Sequence, residues 1–213
     1  MSNIKLIPAS GGGSVSLAPP NSTSGSDVII TLPSETTTLA ASTPVLEQFF
    51  YPCNGETVTT SAGDITLSNV TEKQVGTTTY VDASGSVIAY TPPSGTKTVV
   101  YRFMCQHSMN GDSHQIGHFR FYIDSDEVTQ AYVTNGSEDM QHLVNFEWPI
   151  RVGGTANTAT GRVASWTSAK TLKLTYRDYG SSNDARLHTT SYTDGTANDT
   201  FVMPRIGITA LSL

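Results

Sequence analysis

The stretch His142-Leu-Val-Asn-Phe-Glu-Trp-Pro-Ile-Arg-Val152 decides the fold class. Val144, Phe146, Trp148, Ile150 and Val152 fall at every second position, with Asn145, Glu147 and Arg151 between them. A period of two places one set of side chains on a single face of an extended chain, so this segment reads as a strand with one side against a core. Pro149 inside it removes a ladder donor, which predicts an edge strand or a bulge. Phe119, Phe121 and Ile123 repeat the pattern, as do Val99, Tyr101, Phe103 and Cys105. Strands are expected at residues 99–107, 118–124, 128–133, 142–152, 172–177 and 205–213, with a hairpin turn at Asp124-Ser-Asp-Glu127. Polar connections at 153–162 and 180–184 fit crossings between the two sheets of a sandwich. The last of these strands, apolar at alternate positions from Ile206, is expected to lie centrally in its sheet or against another subunit.

Composition agrees. Of the 213 residues only 14% are charged, against roughly 25% in ordinary soluble domains, and Thr, Ser and Gly fill the polar positions. β-branched Thr suits a pleated, half-exposed surface. No segment keeps an apolar spacing of three and four residues; the longest candidate, residues 45–51, is bounded by Pro44 and Pro52.

A net charge of −6 with twelve Lys and Arg excludes an extended phosphate-binding surface, so nucleic acid is not an expected partner. No apolar run approaches a membrane span and no charged-then-apolar leader is visible, so a soluble chain without membrane insertion is expected. Cys53 and Cys105 are too few and too far apart for a disulfide framework, and both are expected as free thiols, Cys105 as a small core residue. The N-x-Ser/Thr sequons at Asn21, Asn69, Asn135 and Asn198 are what a Thr-rich chain produces by chance.

Residues 1–42 read as a separate segment, with short strands at 3–7, 14–17 and 28–32 separated by the Gly11-Gly-Gly13 turn, Pro19-Pro20 and a polar turn. None has the apolar area to hold alone, so edges must be covered by other copies of the chain. Residues 43–98 form a turn-rich β region leading into a sandwich at 99–213.

The pattern Ser10-Gly-Gly-Gly-Ser-Val-Ser-Leu17, then Pro19-Pro20, then Asp27-Val-Ile-Ile-Thr-Leu-Pro33 leading to Thr38-Leu-Ala40, resembles the N-terminal motif of short fibre and head-decoration-like proteins of tailed phages, especially marine ones. The stretch from Val87 through Pro92-Pro93 to Phe103, with Cys53-Asn-Gly-Glu56 and Asn69-Val-Thr71 upstream, resembles the entry into their jelly-roll, TNF-like domain. The resemblance implies an all-β chain: a short intertwined trimeric β segment that attaches to the particle, followed by an antiparallel jelly-roll β-sandwich. It further implies a homotrimer located in the virion, with other capsid or tail proteins as partners and no enzymatic activity. Capsid decoration or cement and a short head or tail fibre are the expected roles. A receptor-binding knob, using loops 108–115 or 180–184 on a host glycan or protein, is the alternative.

Three patterns invite chemistry. Gly111-Asp-Ser-His114 contains a Gly-Asp-Ser block like that of a lipase and esterase superfamily, which would make Ser113 a nucleophile. Its histidine partner would come from Asp184-Ala-Arg-Leu-His188, whose spacing is wrong, and the helical layers of that superfamily are absent. His107, His114 and His118, with His142, could gather a metal on a trimer axis, but no ligand spacing supports one. Asp124, Asp126 and Glu127 lack the glycine and spacing of a calcium loop and read as a solvated tip. No catalytic, cofactor-binding or metal residue is assigned, and no cofactor is expected.

Overall fold

A computed structural model describes residues 4–6, 15–17, 44–109, 116–136, 141–180, 185–191 and 199–213. The chain divides into two compact units, residues 1–41 and 42–213. In the first, β1 (Ile4–Leu6) and β2 (Val15–Leu17) pair antiparallel, Ile4 opposite Leu17 and Leu6 opposite Val15. The strand expected at 28–32 lies outside the described residues.

The second unit is built from β3 (Val45–Pro52), β4 (Thr57–Thr60), β5 (Gly63–Thr66), β6 (Gln74–Val75), β7 (Val81–Asp82), β8 (Ile88–Tyr90) and β9 (Thr98–Met109). β10 (Ile116–Ile123), β11 (Asp126–Glu127), β12 (Val133–Gly136) and β13 (His142–Arg151) follow. β14 (Lys170–Asp178), β15 (Ala185–Leu187), β16 (Thr189–Thr190), β17 (Thr200–Phe201) and β18 (Arg205–Leu211) complete it. A short 3-10 turn, Thr158–Thr160, lies between β13 and β14.

The pairings nest. β3 pairs with β18, β8 with β14, β9 with β13, and β10 with β11 and β12, all antiparallel, so early strands meet late ones from the outside inward. Two further pairings, β18 with β9 and β14 with β10, join these into sheets ordered β3-β18-β9-β13 and β8-β14-β10-β12. A long antiparallel hairpin rolled into two sheets in this way is a jelly roll. Residues 43–98 are therefore part of the sandwich as well as its approach, since β3 and β8 supply one edge of each sheet.

The facing sheets meet through the alternating side chains. Tyr101 of β9 and Phe121 of β10 have ring centroids 5.0 Å apart, and Phe121 and Phe146 5.3 Å, making an aromatic centre between the layers. Tyr101 is fully buried and keeps its hydroxyl satisfied by donating to the Ser86 carbonyl at 2.6 Å. β13 pairs on one side only among the described strands, and Pro149 sits in its regular register opposite Val100. Pro149 thus marks an edge, with no bulge.

β18 lies between β3 and β9, with Ile206, Ile208 and Ala210 buried. On its other face Gly207 is opposite both Phe50 and Arg102, and a Cβ there would stand 2.3 Å from the Phe49 carbonyl oxygen and 2.7 Å from Phe50 Cδ2. Only a residue without a side chain allows β3 to close on β18 at this rung.

One expected strand is corrected. Residues 128–133 are mostly a turn: Val128 N–H donates to Phe121 O at 2.9 Å, Ala131 N–H returns to Val128 O at 2.9 Å, and the ladder resumes only at β12. The apolar positions Val128, Ala131 and Val133 are spaced three and then two, which a turn satisfies and an alternating strand does not. The hairpin at Asp124 is tighter than expected, because Asp126 and Glu127 already pair with Ile123 and Tyr122. Asp124 adopts φ +55°, which short polar side chains tolerate, and its carboxylate accepts from Lys170 Nζ at 2.9 Å and Thr171 N–H at 2.8 Å.

Candidate functional site

The strand ends sort the molecule into two poles. Pro44 accepts from Ser212 N–H, Leu211 O from Lys97 N–H and Lys97 O from Val152 N–H, each at 2.7–2.9 Å, so β3 begins, β18 ends, β9 begins and β13 ends together. At the other pole β9 ends at Met109, β10 begins at Ile116 and β14 ends at Asp178.

The residues singled out for chemistry do not converge. Gly111, Asp112, Ser113, His114 and Asp184 lie outside the described residues. His188 is fully buried, its ring against Phe103 at 6.5 Å, and holds φ +64° between β15 and β16. His107 faces the interior opposite His142 on the neighbouring strand, while His118 stands on the outer face of the other sheet near Tyr179 and Thr134. Among the described residues no group of three or more His, Cys, Asp or Glu side chains could hold a metal. Asp124 turns to Lys170, whereas Glu127 turns to Arg120, Tyr122 and Tyr132. Both cysteines are buried free thiols. Burial pushes the Cys53 thiol up to about 12, and Cys105 rises for the same cause, so neither is a nucleophile at neutral pH.

The interior at the second pole is polar. His107, Tyr176 and Asp178 are at most 1% exposed, and the His107 ring fills the space that Gly117 leaves, where a Cβ would be 2.8 Å from Nε2. Asp178 accepts from Gly180 N–H at 3.2 Å and Ala185 N–H at 3.3 Å, closing β14 onto β15. Among the described residues no hydrogen bond reaches either His107 nitrogen. Burial and the neighbouring His142 lower its pKa to about 4, and burial lowers that of His188 to about 4 against a small opposing effect of the Ser84 carbonyl. Both are buried, neutral space-filling groups at pH 7.

The outward face of the β8-β14-β10-β12 sheet is different. Its rungs set His118 opposite Arg177 and Tyr122 opposite Lys173, with Arg120 on the same side. Arg120 lies 4.1 Å from the Tyr80 ring centroid and 5.5 Å from that of Tyr132, and Arg177 is 5.5 Å from Tyr80. Hydrogen bonding to Tyr132, Tyr122 and Arg120 holds the Glu127 carboxyl below its ordinary range. Burial, then Arg177 and Arg120, lower the pKa of His118. Arg120, Lys173 and Lys170 each meet a carboxylate, in Glu127, Asp82 and Asp124, whereas among the described residues Arg177 meets none and reaches the Thr78 carbonyl at 3.5 Å. Tyr132 and Tyr179 remain 53% and 62% exposed. Four of the chain's nine tyrosines, Tyr80, Tyr122, Tyr132 and Tyr179, thus gather on one face with two arginines. Sequence reading missed this surface, although its signal was present: the polar partners of Phe119, Phe121 and Ile123 are His118, Arg120 and Tyr122 in a chain otherwise poor in charge.

A cleft of about 230 Å³ opens at the first pole beside Asp126 and Arg162. Wider ones of about 390 and 420 Å³ lie along Tyr132 and Phe146 and along Asn69 and Gln74, within the roughly 300–1,000 Å³ of typical small-ligand sites. Among the described residues no helix is long and apolar enough to cross a membrane.

No protein-family model matches the chain, and no curated protein does. Among solved structures, the chain is similar to one from the T13 IBDV viral particle at 10% identity and a TM-score of 0.39, covering 94% of this chain and 42% of that one. It is also similar to a chain of infectious bursal disease virus Gx strain, at 10% identity and a TM-score of 0.37, covering 87% of this chain and 46% of that one. The chain spans less than half the length of either.

Proposed function

We propose that this chain is a non-enzymatic structural protein on the outside of a tailed-phage particle. It works as a homotrimer that decorates or cements the capsid or forms a short fibre, and residues 1–42 hold it to the particle. The observation that carries this reading is the jelly roll itself. His107, His188 and Asp178 inside it are buried, while Tyr132 and Tyr179 lie exposed on the Tyr–Arg face. The N-terminal resemblance adds the attachment role.

Quantitative mass spectrometry of purified particles from the phage that encodes the chain tests the reading. Copies on the order of hundreds indicate a capsid component and a few trimers indicate a vertex or tail fibre, because closed symmetry links copy number to location. Particles that contain none of the chain would overturn it.

A further inference from the structure

We propose that the Tyr–Arg face is the contact between subunits, and that its partner is the acidic flank of a second copy of this chain, around Glu56, Asp64 and Glu72. The inference rests on the trimeric reading above and specifies the surface that builds it.

Composition is the first support. Tyrosine and arginine are the side chains that most often dominate binding energy, because they give large rigid contact areas with a polar tip. Here they are concentrated on a sheet face, with Tyr132 and Tyr179 over half exposed.

Charge supplies the partner. A chain of net charge −6 repels its own copies unless its few cations are turned toward carboxylates. Among the described residues Arg177 is the cation of this face without a carboxylate partner. The side chains of Glu56, Asp64 and Glu72 are exposed and have no hydrogen-bond or ion-pair partner among the described residues. They line the segment that carries the β4–β5 hairpin, which is tied to β3 through the Ser61 N–H and the Glu47 carboxylate. This flank lies at the β3 edge of the sandwich, so the two surfaces belong to different sides of one subunit.

Symmetry follows from the same charges. The Tyr–Arg face set against itself would bring Arg177 toward Arg177, so a two-fold contact is disfavoured. A face-to-flank contact is heterologous, and three such contacts close a ring.

The test is sedimentation equilibrium of the full chain at low and high salt, with thermal melting to confirm folding. Wild type is expected as a trimer that weakens as salt rises. Arg177→Glu and Tyr179→Ser should each weaken it, the former by about a hundredfold in dissociation constant, with melting of the dissociated chain unchanged. Combining Arg177→Glu with Glu56→Arg, Asp64→Arg and Glu72→Arg should restore the trimer. A wild-type trimer that Arg177→Glu leaves intact overturns the proposed surface alone. Loss without restoration overturns the acidic flank as its partner. A monomeric wild type overturns the trimeric reading itself.

Discussion

Removing residues 206–213 is expected to leave no folded sandwich. β18 is hydrogen-bonded on both sides, to β3 and to β9, and without it the first sheet separates between those strands. Ile206 and Ile208, each 1% exposed, leave the core together. Truncating a buried Ile costs about 2–5 kcal/mol, and the whole stability of a typical domain is about 5–15 kcal/mol. Losing both residues and two ladders therefore exceeds what the remaining strands supply. The truncated chain should be insoluble, or lack a cooperative melt by circular dichroism. A soluble chain that melts cooperatively would contradict the central placement of β18.

Acid should destabilise the protein well before its carboxylates titrate. His107 and His188 have folded pKa values lowered to about 4, against about 6.5 when unfolded. Above pH 6.5 neither state binds the proton and the groups contribute nothing to pH dependence. Between 6.5 and 4 the unfolded chain takes up protons that the folded chain refuses, so stability falls as pH falls. Between pH 7.5 and 5 the loss is about 2 kcal/mol for each residue, about 4 kcal/mol together. The carboxyls of Asp124, Asp199 and Glu127 are held low and lose their own contribution further down, below the ordinary carboxylate range. Urea unfolding of His107→Phe and His188→Asn isolates the effect; Asn is chosen because it tolerates the positive φ of residue 188. Each variant should remove about half of the pH-dependent loss, whatever it does to stability at pH 7.5. A double variant with the full loss would assign acid sensitivity elsewhere.

The strands with clean alternation were legible before any coordinates, because the period of two survives in Phe119, Phe121 and Ile123 and in Val144, Phe146 and Ile150 whatever they pack against. The central position of the last strand was legible for the same reason. What could not be read was pairing between distant segments. β8 has only three residues, Ile88–Tyr90, and its place beside β14 depends on a contact across some eighty positions of chain. Val128 looked like a strand start because its apolar neighbours suggested one, and its bond to Phe121 O turned it aside. The histidines show the same limit. His107 and His118 are close in sequence, yet one faces the core and the other the outer surface, and only register decides this. The Tyr–Arg face required the cross-strand match of His118 with Arg177 and Tyr122 with Lys173 before it became a surface.

Copies of this jelly roll are proposed to assemble into a closed trimer that serves on a particle. Its most direct test is the solution mass of the full chain, by light scattering over a dilution series, beside a version lacking residues 1–40. The mass of three chains is expected for the full length, and the same assembly at higher concentration after truncation. The mass of one chain for both, at every concentration, would contradict it.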